Sequence, residues 1–122
     1  RRQQIWNYYS DEFSELPIAL PEPPEKDTKH SYHLYTILID EKIAGLSRDS
    51  FLTKMNSEGI GTGVHYLSIP EHPYYQKEFD WKAKDYPNAM KIGRETVSLP
   101  LSPKLSDYDV DRVIKTVNKI LN

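Results

Sequence analysis

The chain carries the sequence Gly-Ile-Gly-Thr-Gly-Val-His-Tyr at residues 59–66, followed by Pro-Glu-His-Pro-Tyr-Tyr at residues 70–75. Glycines at alternate positions leave one edge of an extended backbone without side chains, so a ligand or another chain can approach it closely. Such glycines, beside a histidine and a tyrosine, are not typical of a hydrophobic core. The stretch therefore predicts a strand near residues 61–66 that forms the wall of a binding site.

Upstream of this stretch, apolar spacing predicts one helix and one strand. In residues 1–16 the apolar side chains recur at steps of three and four, which indicates an amphipathic helix, and Pro17 ends it. Four prolines at residues 17–30 favour an extended connector. Residues 32–39 are rich in Tyr, Ile and Leu on both faces, which is typical of an interior strand.

Downstream elements are marked by their end signals. Ser47 can cap a helix, and Gly59 stands where a left-handed residue ends it. Pro87 can begin a further helix, after which residues 96–99 predict a short strand. Ser106 and its third neighbour, an Asp, have the character of a capping box ahead of the last, strongly periodic helix. We therefore expect an α/β (α+β) fold, a small three-stranded sheet with helices mainly on one face.

Bulk composition excludes several classes of protein. A chain of 122 residues fits one domain, and a formal net charge of −2 with scattered basic residues argues against nucleic acid as a partner. Apolar runs are far shorter than the roughly 20 residues that a membrane span requires. The absence of cysteine excludes disulfides and thiolate metal sites and fits a reducing compartment, so we expect a cytoplasmic protein.

Four segments taken in order carry a family resemblance. They are Ile5-Trp6-Asn7-Tyr8-Tyr9, Tyr32-His33-Leu34-Tyr35, the stretch 59–66, and Ser98-Leu99-Pro100-Leu101-Ser102-Pro103. Together they resemble the small C-terminal domain of the DegT/DnrJ/EryC1/StrS nucleotide-sugar aminotransferases, which use pyridoxal phosphate. Because the chain opens on Arg1 inside a helical pattern, we expect it to be a fragment of a longer protein, here called the parent.

The resemblance implies a division of the chain and an oligomeric state. Residues 1–16 would be an interdomain helix, residues 17–30 a Pro-rich connector, and residues 31–122 the small domain. The apolar face of the first helix would have packed partly on the missing N-terminal large domain, so we expect it to be exposed or to pair with a second copy. The parent is expected to be a homodimer.

His65 and Tyr66 are the leading site candidates. Neighbouring strand residues point to opposite faces, so at most one of the two faces the core. Composition alone also fits a structural reading, in which both are polar aromatics at a strand end. The resemblance implies that they hold the nucleotide-sugar substrate, through its diphosphate, at the mouth of the active site.

His72 and Arg94 are further candidates for substrate binding. Arg94 near a helix end also fits a purely dipolar role. His65, Glu71 and His72 could be combined as metal ligands, but zinc sites take three or four well-spaced ligands, so the sequence predicts no metal site.

A pyridoxal phosphate enzyme needs a Schiff-base lysine, an acidic partner for the pyridine nitrogen and a phosphate cradle, and none of these is identified in the sequence. We therefore predict no catalytic residue and no bound cofactor in this chain; the resemblance places both in the large domain. The parent would transfer an amino group, from glutamate, to a nucleotide-linked keto-sugar for lipopolysaccharide, capsule or antibiotic-sugar synthesis. The alternative is a non-catalytic α/β binding module that grips a protein or glycan with the Tyr-rich loop 66–86.

Overall fold

The computed structural model describes all 122 residues, which form six α-helices, two short 3-10 helices and two β-strands. In chain order the elements are α1 (Arg2–Glu12), β1 (Tyr35–Leu38), α2 (Glu41–Ala44), α3 (Arg48–Ser57), α4 (Pro73–Phe79), α5 (Pro87–Glu95), β2 (Thr96–Leu99) and α6 (Asp107–Leu121), with 3-10 turns at Ile69–Glu71 and Ala83–Asp85. The predicted mixed α/β class is confirmed. Helix α1 and strand β1 are shorter than the sequence pattern indicated, and α2 and α4 were not predicted.

Strand β1 has backbone partners on both of its edges, although only one of them, β2, is a strand. It pairs antiparallel with β2, so that Tyr35 lies opposite Leu99. On its other side Leu38 exchanges two backbone hydrogen bonds with Ala19, at 2.9 and 3.1 Å. Burial alternates along β1: Tyr35 and Ile37 are fully buried, whereas Thr36 and Leu38 are half-buried, so the two faces of the strand are covered unequally.

The predicted three-stranded sheet is wrong, because residues 61–66 do not form a strand. Gly63 donates its backbone N–H to the Ser98 carbonyl at 3.1 Å and accepts from the Ser98 N–H at 2.8 Å, and pairing stops there. A glycine-rich segment has no side chains to pack along the face of a sheet, so it gains little from continuing the ladder. The stretch contributes one bridge at the edge of β2.

One hydrophobic core joins α1, the sheet, α3 and α6. Tyr9 and Phe13 are fully buried in it, and the Tyr9 hydroxyl donates to the Pro100 carbonyl at 2.9 Å. The expectation of an exposed face on the first helix is therefore wrong: this chain's own core covers that face. The reason is the long α6, whose apolar stripe packs against α1 and α3.

The predicted capping signals of α3, α5 and α6 are confirmed, whereas α1 ends at Glu12, before the predicted stop at Pro17. The Ser47 side chain caps α3, and Gly59 just beyond that helix has φ of 72°, a left-handed conformation that glycine adopts without steric cost. Pro87 is the first residue of α5. Ser106 and Asp109 form a reciprocal capping box at the start of α6.

The segment predicted as a Tyr-rich loop contains helix α4 instead. Its aromatic rings pack on one another: Tyr75 stacks on Trp81 with ring centroids 5.5 Å apart, and on Phe79 at 5.9 Å. No residue of α4 is buried, and none belongs to the core. Five rings form this outer aromatic cluster: Tyr74, Tyr75, Phe79, Trp81 and Tyr86.

Candidate functional site

His65 is held against the edge of β2. Its Nδ1 lies 2.9 Å from the Ser98 hydroxyl, while Ser98 also pairs through its backbone with Gly63. A Cβ on Gly63 would lie 2.8 Å from Cε1 of the His65 ring, so the glycine makes room for the imidazole. Because Nδ1 is engaged, Nε2 is the ring nitrogen left to meet a ligand, as donor or acceptor according to tautomer.

Tyr66 points away from the sheet. Its side chain is 75% exposed, and its ring meets the His65 ring edge to face with centroids 5.0 Å apart. The peptide bond between the two residues is cis. The pair therefore presents one anchored imidazole and one free phenol, two groups that can donate hydrogen bonds to an anionic ligand.

His72 and Arg94 lie at a second place on the surface, where Arg94 forms an ion pair with Glu71. Arg94 donates from Nε to Glu71 Oε1 at 3.0 Å, and a terminal nitrogen of the same guanidinium lies 3.0 Å from that oxygen. His72, the next residue after Glu71, is exposed at the start of α4. No hydrogen bond joins His65 or Tyr66 to this group. The structure thus brings Arg94 beside the His72 segment and leaves the His65–Tyr66 pair separate.

Sequence reasoning missed the residues that position this segment. The buried Ser68 donates its hydroxyl to the Ala89 carbonyl at 2.6 Å, and Gly93 in α5 packs directly on Ser68. A Cβ on Gly93 would lie 2.6 Å from the Ser68 backbone nitrogen. An isolated glycine inside a helical pattern was the available signal, since such a residue often marks a close approach.

Glu95 carries a buried carboxylate oxygen, Oε2, that has no hydrogen-bond partner in the chain. Burial raises the pKa of this carboxyl; Lys91 opposes that shift and Asp40 adds to it. Lys91 itself lies 3.9 Å from Asp40. Glu95 and Arg94 line a surface groove of 550 Å³ on α5, and His65, Tyr66 and His72 lie outside the main grooves.

The lysines of this chain do not fit a pyridoxal phosphate site. All of them are exposed, whereas a Schiff-base lysine is typically desolvated or placed so that its amine loses a proton easily. Those with ion-pair partners meet surface carboxylates, as Lys119 meets Glu58 at 2.7 Å. No step of cofactor chemistry is therefore assigned to these residues.

No three side chains among His, Asp and Glu are placed to hold a metal ion. His65 and His72 face different surroundings, the first bonded to Ser98 and the second solvent-exposed. None of the helices combines the length and the apolar character that a bilayer crossing demands.

Comparison with known proteins extends this picture. Residues 1–118 match the model of the DegT/DnrJ/EryC1/StrS aminotransferase family. The chain is 43% identical over 122 residues to the spore coat polysaccharide biosynthesis protein SpsC of Bacillus subtilis, covering 99% of this chain and 31% of SpsC. It therefore spans about a third of the length of the relatives it matches.

Solved structures share the fold. The pyridoxal phosphate form of Spr1654 from Streptococcus pneumoniae matches with a TM-score of 0.84 at 28% identity, over 100% of this chain and 32% of that one. PseC of Helicobacter pylori, an aminotransferase involved in the biosynthesis of pseudoaminic acid, matches with a TM-score of 0.85 at 27% identity, over 98% and 32%. The chain belongs to the DegT/DnrJ/EryC1/StrS aminotransferase family.

Proposed function

We propose that this chain is the substrate-side part of a pyridoxal phosphate-dependent sugar aminotransferase. The parent would move an amino group from an amino acid, glutamate in the first instance, to a nucleotide-linked keto-sugar. The family match over residues 1–118 carries the proposal. The pyridoxal phosphate and PMP forms of Spr1654 support the cofactor.

The proposed work is divided between this chain and the rest of the parent. The cofactor supplies the electron sink for amino transfer and would be bound by the part of the parent outside this chain. Residues 1–16 would lead into that part, residues 17–30 would connect, and residues 31–122 would form the small domain. The cytoplasmic location and the homodimeric parent remain predictions.

His65 and Tyr66 would bind the substrate through its diphosphate. Anchoring of Nδ1 by Ser98 fixes the imidazole plane, so Nε2 can donate in one direction at little entropic cost. The Tyr66 hydroxyl is exposed and lies on the next residue. His72 and Arg94 are proposed as secondary contacts; to reach a phosphate, Arg94 would have to share its guanidinium with Glu71.

The names of two relatives suggest the destination of the product. SpsC is a spore coat polysaccharide protein, and PseC acts in pseudoaminic acid biosynthesis. We propose that the parent serves a cell-surface polysaccharide pathway, such as lipopolysaccharide or capsule synthesis, or else an antibiotic-sugar pathway.

Steady-state kinetics of the parent test the site. His65→Ala and Tyr66→Phe should each raise the Michaelis constant for the sugar nucleotide about threefold to tenfold, since a neutral hydrogen bond contributes roughly 0.5–1.5 kcal/mol and one to a charged phosphate more. The half-reaction with the amino donor should change little. Tyr108→Phe is the matched control, because Tyr108 is as exposed as Tyr66, at 76%, but lies on α6. Unchanged sugar-nucleotide affinity in both variants would leave the two residues with a structural role only.

Borohydride reduction after mixing with pyridoxal phosphate tests the division of labour. This chain alone should show no stoichiometric label on one lysine, because all its lysines are exposed and none lies in an enclosed site that would favour one amine over the others. A single fully labelled lysine, found by mass spectrometry, would place the cofactor in this chain.

The alternative of a non-catalytic binding module draws on the outer aromatic cluster, whose Tyr74 is 64% exposed. Such a surface fits a protein or a glycan. Family membership favours the aminotransferase, and the kinetic variants above separate the two because a binding module has no amino-transfer rate to change.

A further inference from the structure

The imidazole of His65 contacts two residues that pair with each other through their backbones. Gly63 exchanges two backbone hydrogen bonds with Ser98, and the Ser98 hydroxyl lies 2.9 Å from His65 Nδ1. The ring also lies against the glycine, because a Cβ on Gly63 would be 2.8 Å from its Cε1 and 3.4 Å from its Nδ1. The position of the ring is therefore set by one hydroxyl and by one missing side chain.

The contact between His65 and Ser98 admits two arrangements of the protons. In the first, the Ser98 hydroxyl donates to a bare Nδ1, and the neutral ring carries its proton on Nε2. In the second, Nδ1–H donates to the hydroxyl oxygen, and Nε2 is bare. The two arrangements differ in what the ring offers to a ligand, because an Nε2–H group attracts an anionic oxygen and the lone pair of a bare Nε2 repels it.

The burial of Ser98 selects the first arrangement. This residue is 5% exposed, and His65 Nδ1 is the only hydrogen-bond partner of its hydroxyl within the chain. In the second arrangement the hydroxyl hydrogen would have no acceptor, and a buried donor without an acceptor costs more than an ordinary hydrogen bond contributes. The Ser98 hydroxyl is therefore the donor, Nδ1 is the acceptor, and the ring proton is on Nε2.

We propose that Ser98 is a positioning residue for the substrate, whose hydroxyl holds the His65 ring against Gly63 and keeps the ring proton on Nε2, facing an anionic ligand. The inference rests on the proposed role of His65 in binding the diphosphate of the sugar nucleotide. Ser98 acts through His65 and does not itself touch the ligand. Because a ring oriented before binding loses little freedom when the ligand arrives, the effect of Ser98 is on affinity and not on the rate of amino transfer.

A double-mutant cycle in the full-length parent tests the proposal. Ser98→Ala should raise the Michaelis constant for the sugar nucleotide roughly twofold to fivefold and leave the half-reaction with the amino donor unchanged. In a His65→Ala background, Ser98→Ala should have no further effect, because the side chain that it positions is gone. Thr96→Val is the matched control, since it removes a hydroxyl from a residue of β2 that is 2% exposed and two positions from Ser98, on the same face of the strand.

The outcomes of the cycle separate this proposal from the proposed function. If His65→Ala raises the Michaelis constant and Ser98→Ala does not, the positioning role is overturned while the role of His65 stands. Equal effects of Ser98→Ala in the two backgrounds would also overturn it, because Ser98 would then act independently of His65. If His65→Ala has no effect, the proposed role of His65 fails and the positioning role fails with it.

Gly63 provides a second way to move the ring. Gly63→Ala should displace the imidazole, which is a movable side chain, and raise the same Michaelis constant although the Ser98 hydroxyl is still present. Gly61→Ala is the matched control, because nothing lies within 4 Å of the added carbon. Wild-type affinity in Gly63→Ala would show that the position of the ring does not matter for binding, which would contradict the proposal.

Nitrogen-15 NMR of the parent, labelled at histidine, measures the tautomer without any activity assay. At mildly alkaline pH the His65 signals, identified by their loss in His65→Ala, should show a protonated Nε2 and a bare Nδ1. A proton on Nδ1 would overturn the assignment of the Ser98 hydroxyl as the donor.

Discussion

The core and the outer aromatic cluster contain the same kinds of ring at similar spacings, in very different surroundings. In the core, Trp6 meets Tyr35 at 5.5 Å, and both are buried. In the outer cluster, Trp81 meets Tyr75 at the same 5.5 Å, yet α4 has no buried residue. Contact between rings is therefore not what makes a core. The difference is that the core rings are enclosed by the sheet and the long α6, whereas the outer rings have only one another.

The largest expected effect is in the core. Trp6→Ala removes a side chain that is 4% exposed and contacts two tyrosines, so it should lower the free energy of unfolding by about 3–5 kcal/mol. Urea denaturation followed by circular dichroism measures it. A loss below about 1 kcal/mol would mean that the core tolerates a large cavity and that the contrast between the two clusters is weak.

The second largest effect on stability is expected at the contact between Gly93 and Ser68, which attaches the outer aromatic cluster to the rest of the chain. Gly93→Ala places a Cβ 2.6 Å from the Ser68 nitrogen, where backbone must shift, and overpacking of this kind costs about 1–3 kcal/mol. Amides of residues 66–79 should exchange faster with solvent in this variant. Gly61→Ala is the matched control, because nothing lies within 4 Å of the added carbon, and its stability and exchange should resemble those of the wild type.

A smaller effect is expected inside the outer cluster. Trp81→Ala removes ring contacts with Tyr75, Phe79 and Tyr86 but little buried area, so it should cost about 1 kcal/mol, the order of an aromatic pair. The same urea titration allows direct comparison with Trp6→Ala. Equal losses for the two tryptophans would show that the outer cluster is a second core.

The smallest effect on stability at neutral pH is expected for Tyr35, and this effect becomes measurable at alkaline pH. Burial raises the pKa of Tyr35 from 10.0 to about 12, and burial raises the pKa of Tyr9 as well. Since the unfolded tyrosine ionises first, stability present below pH 10.0 is lost as the pH rises towards about 12. Tyr35→Phe should cost only about 0.5 kcal/mol at neutral pH, the low end for a hydrogen bond, because its contact with Ser10 is 3.2 Å long.

Above pH 10.0 the Tyr35→Phe variant should lose stability less steeply than the wild type. Urea midpoints over the alkaline range measure the slope. Tyr108→Phe, at an exposed position, is the control. Identical slopes for wild type and Tyr35→Phe would mean that Tyr35 ionises freely in the folded chain.

Helix ends were the part of the fold that could be predicted in detail. The residues that set these ends act within a few positions of themselves, so the sequence is enough to identify them. They are Ser47, Gly59, Pro87 and the Ser106–Asp109 box. The strand prediction for residues 61–66 was wrong, because alternate glycines are also what an extended strand edge open to a ligand would show. The glycines of the stretch 59–66 have three different uses: a left-handed turn at Gly59, open space at Gly61, and room for the His65 ring at Gly63.

The candidate site was only partly predictable for the same reason. His65 and Tyr66 were identified by their neighbours in sequence, but the anchor of His65 is Ser98, 33 residues away. Arg94 was noted at a helix end, while its partner Glu71 lies 23 residues earlier. The local sequence pattern does not predict these hydrogen-bond partners, because they depend on how the helices and strands pack together.

By itself, the sequence determined the mixed α/β class, the capping residues of α3, α5 and α6, the presence of a strand near residue 35 and the family resemblance, all of which rest on local spacing and side-chain chemistry. Only the tertiary structure decided that residues 61–66 contribute a single bridge, that α1 is buried in this chain's own core, and that Ser68 and Gly93 fix an exposed aromatic segment. These outcomes depend on contacts between residues far apart in the chain, where packing overrides local preference.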